Sequence, residues 1–203
     1  MRMNEVIACE RFPCTDVRHE GYRVPAIDIV DPAKVSLVLI SEVAAADPAD
    51  DYYATGEPLF ARTTVEAFRD AGAQVSTIQD ILDMGVYLTT AVKCAKVGYG
   101  LCAATIRECS LLLERELESF ANVRGYLLMG DVAIKAVNAI TRRAGEGRAI
   151  PAGSTYKIRG GEFWFRGARA FPSYLQAGPS FYIEKSKRQM IAEDMAAALA
   201  LIG

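Results

Sequence analysis

The chain has one histidine in its 203 residues, His19, and it lies in the polar stretch TDVRHEGY, where it reads as a solvated side chain. No apolar run approaches the roughly 20 residues that cross a bilayer. The amino-terminal stretch MRMNEVIACERFPC also lacks the apolar centre of a secretion signal. Both absences predict a cytoplasmic protein with no membrane partner. There is no low-complexity or long polar tract, which argues against disorder. There is no repeat of fixed period, which excludes solenoids and propellers. Net charge is only −2, with a pI near 5.6. Nothing draws the whole molecule to nucleic acid, so such a partner would need a local basic patch.

What is present is ordinary globular composition, 51% hydrophobic and 24% charged, at a length that suits one domain with a sizeable core. The segment KVSLVLISE (34–42) is a continuous apolar run of the kind that forms a strand buried on both faces. VYLTTAVKC (86–94) and GYLLMG (125–130) read the same way. Between them, LFARTTVEAFRDAG carries Phe60, Val65 and Phe68 on one helical face and stops at Gly72. STIQDILDMG predicts a short helix capped by Ser76. ATIRECSLLLERELESF is amphipathic through Ile106, Leu113, Leu117 and Phe120. Asp131 is the expected cap of the helix DVAIKAVNAI. STYKIRGGEFWFRGARAF predicts a hairpin turning at Gly160-Gly161, with a further strand leading into Phe171. A last amphipathic helix is expected from Ile183 to Ile202, with Ile183, Met190, Ile191, Met195, Leu199 and Ile202 inward.

Strands alternating with helices imply an α/β fold: a three-layer α/β/α sandwich around a central, mostly parallel four-stranded sheet. Residues 1–203 form one domain, with 1–33 an amino-terminal arm. In such sheets ligands collect at the carboxyl ends of the strands. Those ends carry SEVAAAD, TTAVKC, MGD and AFPSY. Five cysteines, at 9, 14, 94, 102 and 109, are improbable disulfides in a reducing compartment and read as buried thiols or metal ligands.

The order of landmarks resembles the uracil-DNA glycosylase superfamily, and within it the type that carries a four-iron four-sulfur cluster. The resemblance spans nearly the whole chain. It runs through the pair Cys9 and Cys14, then Ser41-Glu42-Val43-Ala44-Ala45, then Gly56-Glu57-Pro58-Leu59-Phe60. Thr90-Ala91-Val92-Lys93-Cys94 follows, then Cys109, LLMGDVAI and finally FPSY. It implies Cys9, Cys14, Cys94 and Cys109 as cluster ligands, one thiolate per iron. A four-cysteine site could hold zinc instead, or nothing, and Cys102 is left as a buried thiol. The spacing of the first pair, Cys-x4-Cys, is wider than the family commonly has.

A glycosylase flips its base out of the stack. It must then identify the base, support attack at the sugar carbon, and stabilise the departing base. The resemblance assigns Glu42 to the second task, and Asp47 in the loop beyond could supply a water-activating carboxylate, as could Asp50 or Asp51. Ser41, Val43, Leu59, Phe60, Thr90 and Phe171 would surround the base, with Leu59 or Phe60 stacking on it. Thr90 stands where the family has an asparagine that reads uracil, and Phe171 stands where it has a histidine donor. Uracil activity in the usual form is therefore doubtful, and Tyr52, Tyr53 and Thr90 could read another base. Ser173, Tyr174 and Leu175 would meet DNA, Ser173 at a phosphate and the other two as a wedge. Weak basic groups are Lys93 with Lys96; Arg142, Arg143 and Arg148; and Lys185, Lys187 and Arg188. The expectation is a monomeric glycosylase acting on a damaged base in single- or double-stranded DNA. The alternatives are a noncatalytic iron–sulfur protein that binds nucleic acid, and an enzyme on a small nucleobase-like molecule.

Overall fold

The computed structural model describes residues 1–25, 28 and 31–203. The arm expected over 1–33 therefore includes four positions, 26, 27, 29 and 30, outside the described residues. The protein is α/β. The buried apolar runs form β2 (Leu37–Val43), β3 (Val86–Val92) and β5 (Gly125–Met129), and β7 (Ala168–Ser173) completes a parallel set. The sheet has five strands where four were expected, in the order β3-β2-β5-β7-β6, because Phe163–Phe165 adds the antiparallel edge strand β6. Its hairpin turns at Arg166-Gly167, not at Gly160-Gly161. Phe165 pairs with Ala168, and both turn residues take positive φ, 50° and 78°, as a two-residue hairpin loop demands. Residues Thr155–Ile158 instead make one helical turn, α6.

Helices cover both faces. On one side α4 (Ala103–Leu117) and α5 (Asp131–Arg143) pack through Ile106, Leu113, Ile134 and Val137 on Val38, Ile40 and Leu128. On the other, α2 (Leu59–Asp70) and α7 (Lys185–Leu199) pack through Phe68, Ile191 and Met195 on Leu37, Leu39 and Leu127. Alternate strand residues thus feed two separate cores. The short helix α3 (Ile78–Asp83) is capped by Thr77 rather than Ser76, in a reciprocal box with Asp80. Gly130, not Asp131, caps α5; Asp131 is its first helical residue and pairs with Lys135. Helix α7 begins two residues later than expected, and Ile183 is 75% exposed. Among the described residues no helix is long and apolar enough to cross a membrane.

The arm is held against the region after β3. Its first turn, α1 (Met3–Val6), contacts α4, and β1 (Val17–Arg18) pairs antiparallel with β4 (Ala95–Lys96). The Asp16 carboxylate accepts the Cys102 N–H at 2.5 Å and the Thr105 hydroxyl, fastening the arm to the start of α4.

Lys93, grouped above with residues that could meet phosphate, has no exposed surface. Its ammonium donates to Glu116 Oε2 at 2.5 Å, and to Thr89 Oγ1 and the Thr90 carbonyl at 2.7 Å. All three of its protons are used. The other carboxylate oxygen of Glu116 accepts from Tyr87 at 2.7 Å and Thr89 at 2.8 Å. A buried pair so completely bonded is costly to break from one side only. Lys93→Met should lower stability by about 3–5 kcal/mol in denaturant unfolding, and adding Glu116→Leu should recover part of that loss. A single variant as stable as the parent would show the pair to be dispensable.

Candidate functional site at the carboxyl edge of the sheet

From β2 the chain runs first to β3 on one side and later to β5 on the other, so the topology switches between β2 and β5. At such a point the connections diverge and leave a crevice at the carboxyl ends of the strands. Glu42 is the penultimate residue of β2, and Gly130 follows β5, at that crevice. Glu42 Oε1 accepts the Val132 N–H at 3.3 Å, in the first turn of α5, where the peptide dipoles present positive charge. Gly130 permits this approach. Its φ is 103°, and a Cβ there would lie 2.5 Å from Glu42 Oε1. The Gly130 N–H in turn donates to the Ser173 carbonyl at 3.0 Å, drawing the end of β7 in beside it.

A cleft of ≈ 280 Å³ opens here, lined by Glu42, Gly130, Tyr174, Leu175, Phe181 and Lys187 among others. That is a little below the roughly 300–1,000 Å³ of drug-sized ligand sites. It suits one small ring system rather than an extended cofactor. The structure thus brings Glu42, Tyr174 and Leu175 together.

It does not bring the other expected site residues to that cleft. Ser41 pairs in register with Thr90, so both face the α2 side of the sheet while Glu42 faces α5. Over that face Tyr52 and Ser41 share a hydrogen bond, and Gln176 Nε2 donates to Tyr52 at 2.8 Å and to Ser41 at 3.2 Å. Tyr53 donates to the Leu88 carbonyl at 2.7 Å, two residues before Thr90. Burial pushes the Tyr52 hydroxyl well above its usual range, as it does that of Tyr53. Both therefore act as neutral donors and acceptors. Phe60 packs against the Tyr52 ring at 5.4 Å, and Leu59 opens α2, half-buried. Val43, also half-buried, packs toward the α4 and α5 core.

Phe171 is not at a mouth. It sits two residues inside β7, buried, opposite Leu127 and with the Arg169 guanidinium 5.4 Å over its ring. Asp47 is exposed and accepts the Ala49 N–H at 2.9 Å, capping a turn. Asp50 likewise caps α2 through the Leu59 N–H. Ser173 is fully buried and donates to Asp194 at 2.5 Å, so its hydroxyl is not available to a phosphate. Among the basic groups, Arg143 pairs with Glu114, and Arg188 pairs with Glu66 and Asp70.

Cys9, Cys14, Cys94 and Cys109 line a second cleft, of ≈ 690 Å³, with Tyr22 and His19 beside them. Tyr22 accepts the Cys9 N–H at 3.2 Å, His19 Nε2 lies 2.8 Å from the Cys14 carbonyl, and the Lys93 N–H donates to Cys109 Sγ at 3.1 Å. Burial, followed by the charges of the other three sulfurs, pushes Cys94 up to about 12. Burial likewise pushes Cys109 up to about 11. Thiolates are the ligand form, so these thiols fit a site whose positive charge arrives with the bound group. Among the described residues no three His, Cys, Asp or Glu side chains are grouped to hold a single metal ion. That concerns one ion; a four-iron cluster gives each thiolate its own iron and does not ask them to converge on a point. Cys102, expected to be buried, is exposed at the start of α4.

No family model matches the chain, and no curated protein matches it. The residues that sequence reasoning missed are Gln176, which closes the Ser41 face, and Lys187, which was grouped with surface charges. A single glutamine in a loop carries no periodic signal. Only the fold shows that its neighbours are Ser41 and Tyr52.

Gly130→Ala should displace the Glu42 carboxylate and destabilise the protein by about 1–3 kcal/mol, from the left-handed backbone and the clash together. In a Glu42→Ala background the same change should cost less, because the clash is gone. Equal penalties in the two backgrounds, read from denaturant midpoints, would mean that Glu42 does not sit against Gly130.

Proposed function

We propose that the protein is a uracil-DNA glycosylase-like DNA N-glycosylase of the iron–sulfur type, with that superfamily's three-layer fold, acting on a flipped damaged base as a monomer. The observation that carries this reading is the gathering of Cys9, Cys14, Cys94 and Cys109, from three separated segments, around one cleft. A second support is a carboxylate at the topological switch point, in a cleft sized for one ring.

In this reading the flipped base enters the cleft and stacks on Tyr174. Glu42, held through Oε1 by the Val132 amide, orients a water with its other oxygen and takes a proton as that water attacks C1′. The bond from C1′ to the base nitrogen breaks, and its electron pair leaves with the base. A cluster on the four cysteines would tie the arm to α4 and the segment after β3. Thr90 offers a hydroxyl rather than an amide, and Phe171 lies in the core. In this reading the substrate is a base that leaves easily, rather than uracil read in the usual way.

A second reading, a cluster protein that binds nucleic acid without cleaving it, is favoured by one observation. Tyr52, Tyr53 and Gln176 already occupy the Ser41–Thr90 face.

An abasic-site assay on single- and double-stranded DNA carrying uracil, hypoxanthine or xanthine separates the two readings. Base release that Glu42→Ala abolishes supports the glycosylase; binding without release supports the second reading. Freshly purified protein should be brown, and Cys94→Ser or Cys109→Ser should bleach it. A colourless anaerobic preparation containing zinc would remove the cluster.

A further inference from the structure

Breaking an N-glycosidic bond puts negative charge on the departing base, and a positioned donor that meets this charge is commonly the largest single source of rate. The residues expected around the base supply none at the Glu42 cleft: Val43, Leu59, Phe60 and Phe171 have no polar side-chain atom, and Ser41 and Thr90 are buried on the other face of the sheet from Glu42. One cation, Lys187, stands among the residues lining the Glu42 cleft.

Resting on the glycosylase reading, we propose that Lys187 is the catalytic donor that stabilises the leaving base. It lies in the first turn of α7 and lines the same cleft as Glu42. Its ammonium sits 5.5 Å from the centre of the Tyr174 ring, so the lysine stem runs along the surface that the base would stack on. Glu184 Oε1 accepts one of its protons at 2.6 Å, which leaves further donors for a ligand. Glu184, the residue that precedes α7, is half-exposed, so this surface pair biases the ammonium's position only weakly.

Glu42 and Lys187 thus place an acceptor and a donor in the lining of one small cleft. That is the arrangement a hydrolysis needs when a water loses a proton on one side of C1′ and a base gains electrons on the other. In the step, the water oxygen bonds to C1′ and its proton passes to Glu42. The C1′–N pair goes to the base, whose charge is met by a hydrogen bond from Lys187, and solvent then protonates the free base.

The test is single-turnover base release by the full protein at saturating enzyme, for wild type, Lys187→Met and Lys187→Arg. The DNA series graded by leaving group carries uracil, 5-fluorouracil, hypoxanthine and xanthine. Lys187→Met should slow release of the poorest leaving group by ~10²–10³-fold. The loss should shrink by about tenfold or more for the best leaving group, whose anion needs less help, and Lys187→Arg should retain most of the rate. A loss equal for all leaving groups would mark Lys187 as a residue that only shapes the cleft and would overturn the proposal. So would release unchanged in Lys187→Met. A wild type that releases no base from any of these DNAs would overturn the glycosylase reading itself and Lys187's role with it, a result distinct from an active wild type indifferent to the substitution.

Discussion

A lysine with no exposed surface must find its counter-charge inside the protein, and Lys93 finds it in Glu116. Strand β3 and helix α4 are thereby fixed to one another at the point where the thiol cleft begins. Glu116 lies seven residues, two helical turns, after Cys109, so both project from the same side of α4 toward β3. Lys93 immediately precedes Cys94, and its own amide donates to Cys109 Sγ. The ion pair is therefore also a ruler. It sets how far Cys94 and Cys109 stand from each other before the arm adds Cys9 and Cys14. Two hydroxyls, of Tyr87 and Thr89, complete the carboxylate's bonding, which is what lets so much charge remain in a core otherwise made of Ile106, Leu113 and Val38.

The second constraint is that residues next to one another on a strand face opposite sides. Ser41 and Glu42 are adjacent, yet Ser41 joins Tyr52 and Gln176 on the α2 side while Glu42 reaches α5. A site that needs both side chains around one ligand would have to work across the end of the strand, where the alternation stops. The cleft is at that end, where Tyr174 and Leu175, in the segment after β7, line it together with Glu42. Gly130 is what lets the edge close this far, since any side chain there would take the space the Glu42 carboxylate fills.

How much of this was legible in the sequence follows from the range of the forces involved. The three apolar runs became β2, β3 and β5 because burial on both faces leaves a continuous apolar signature. α2 and α4 were legible from their 3.6-residue periodicity. The misplaced features turned on local competition. Two glycines at 160 and 161 look like a stronger turn than Arg166-Gly167, but strand pairing placed the turn where Phe165 could meet Ala168. Ile183 fits the period of the last helix, yet the single-turn segment Pro179–Tyr182 runs into it and leaves it exposed. Lys93 could not be told from a surface lysine, because its partner is 23 residues away in the chain. Phe171 was expected at a mouth because motif order says nothing about how many residues a strand still has to run, and β7 runs two more.

The face beside Thr90 bears on how any ligand would reach the protein. Tyr52, Tyr53 and Gln176 are joined to Ser41 and to the Leu88 carbonyl by hydrogen bonds, and no buried side-chain nitrogen or oxygen among the described residues lacks a partner. Admitting a base there would mean breaking several of these bonds in a buried setting, each leaving a group unsatisfied at about 1–3 kcal/mol. At the Glu42 cleft a ligand displaces only solvent. Of these two neighbouring places at the sheet's edge, one is already filled by the chain's own side chains. The other remains open to a ligand and is lined by a carboxylate, an aromatic ring and an ammonium.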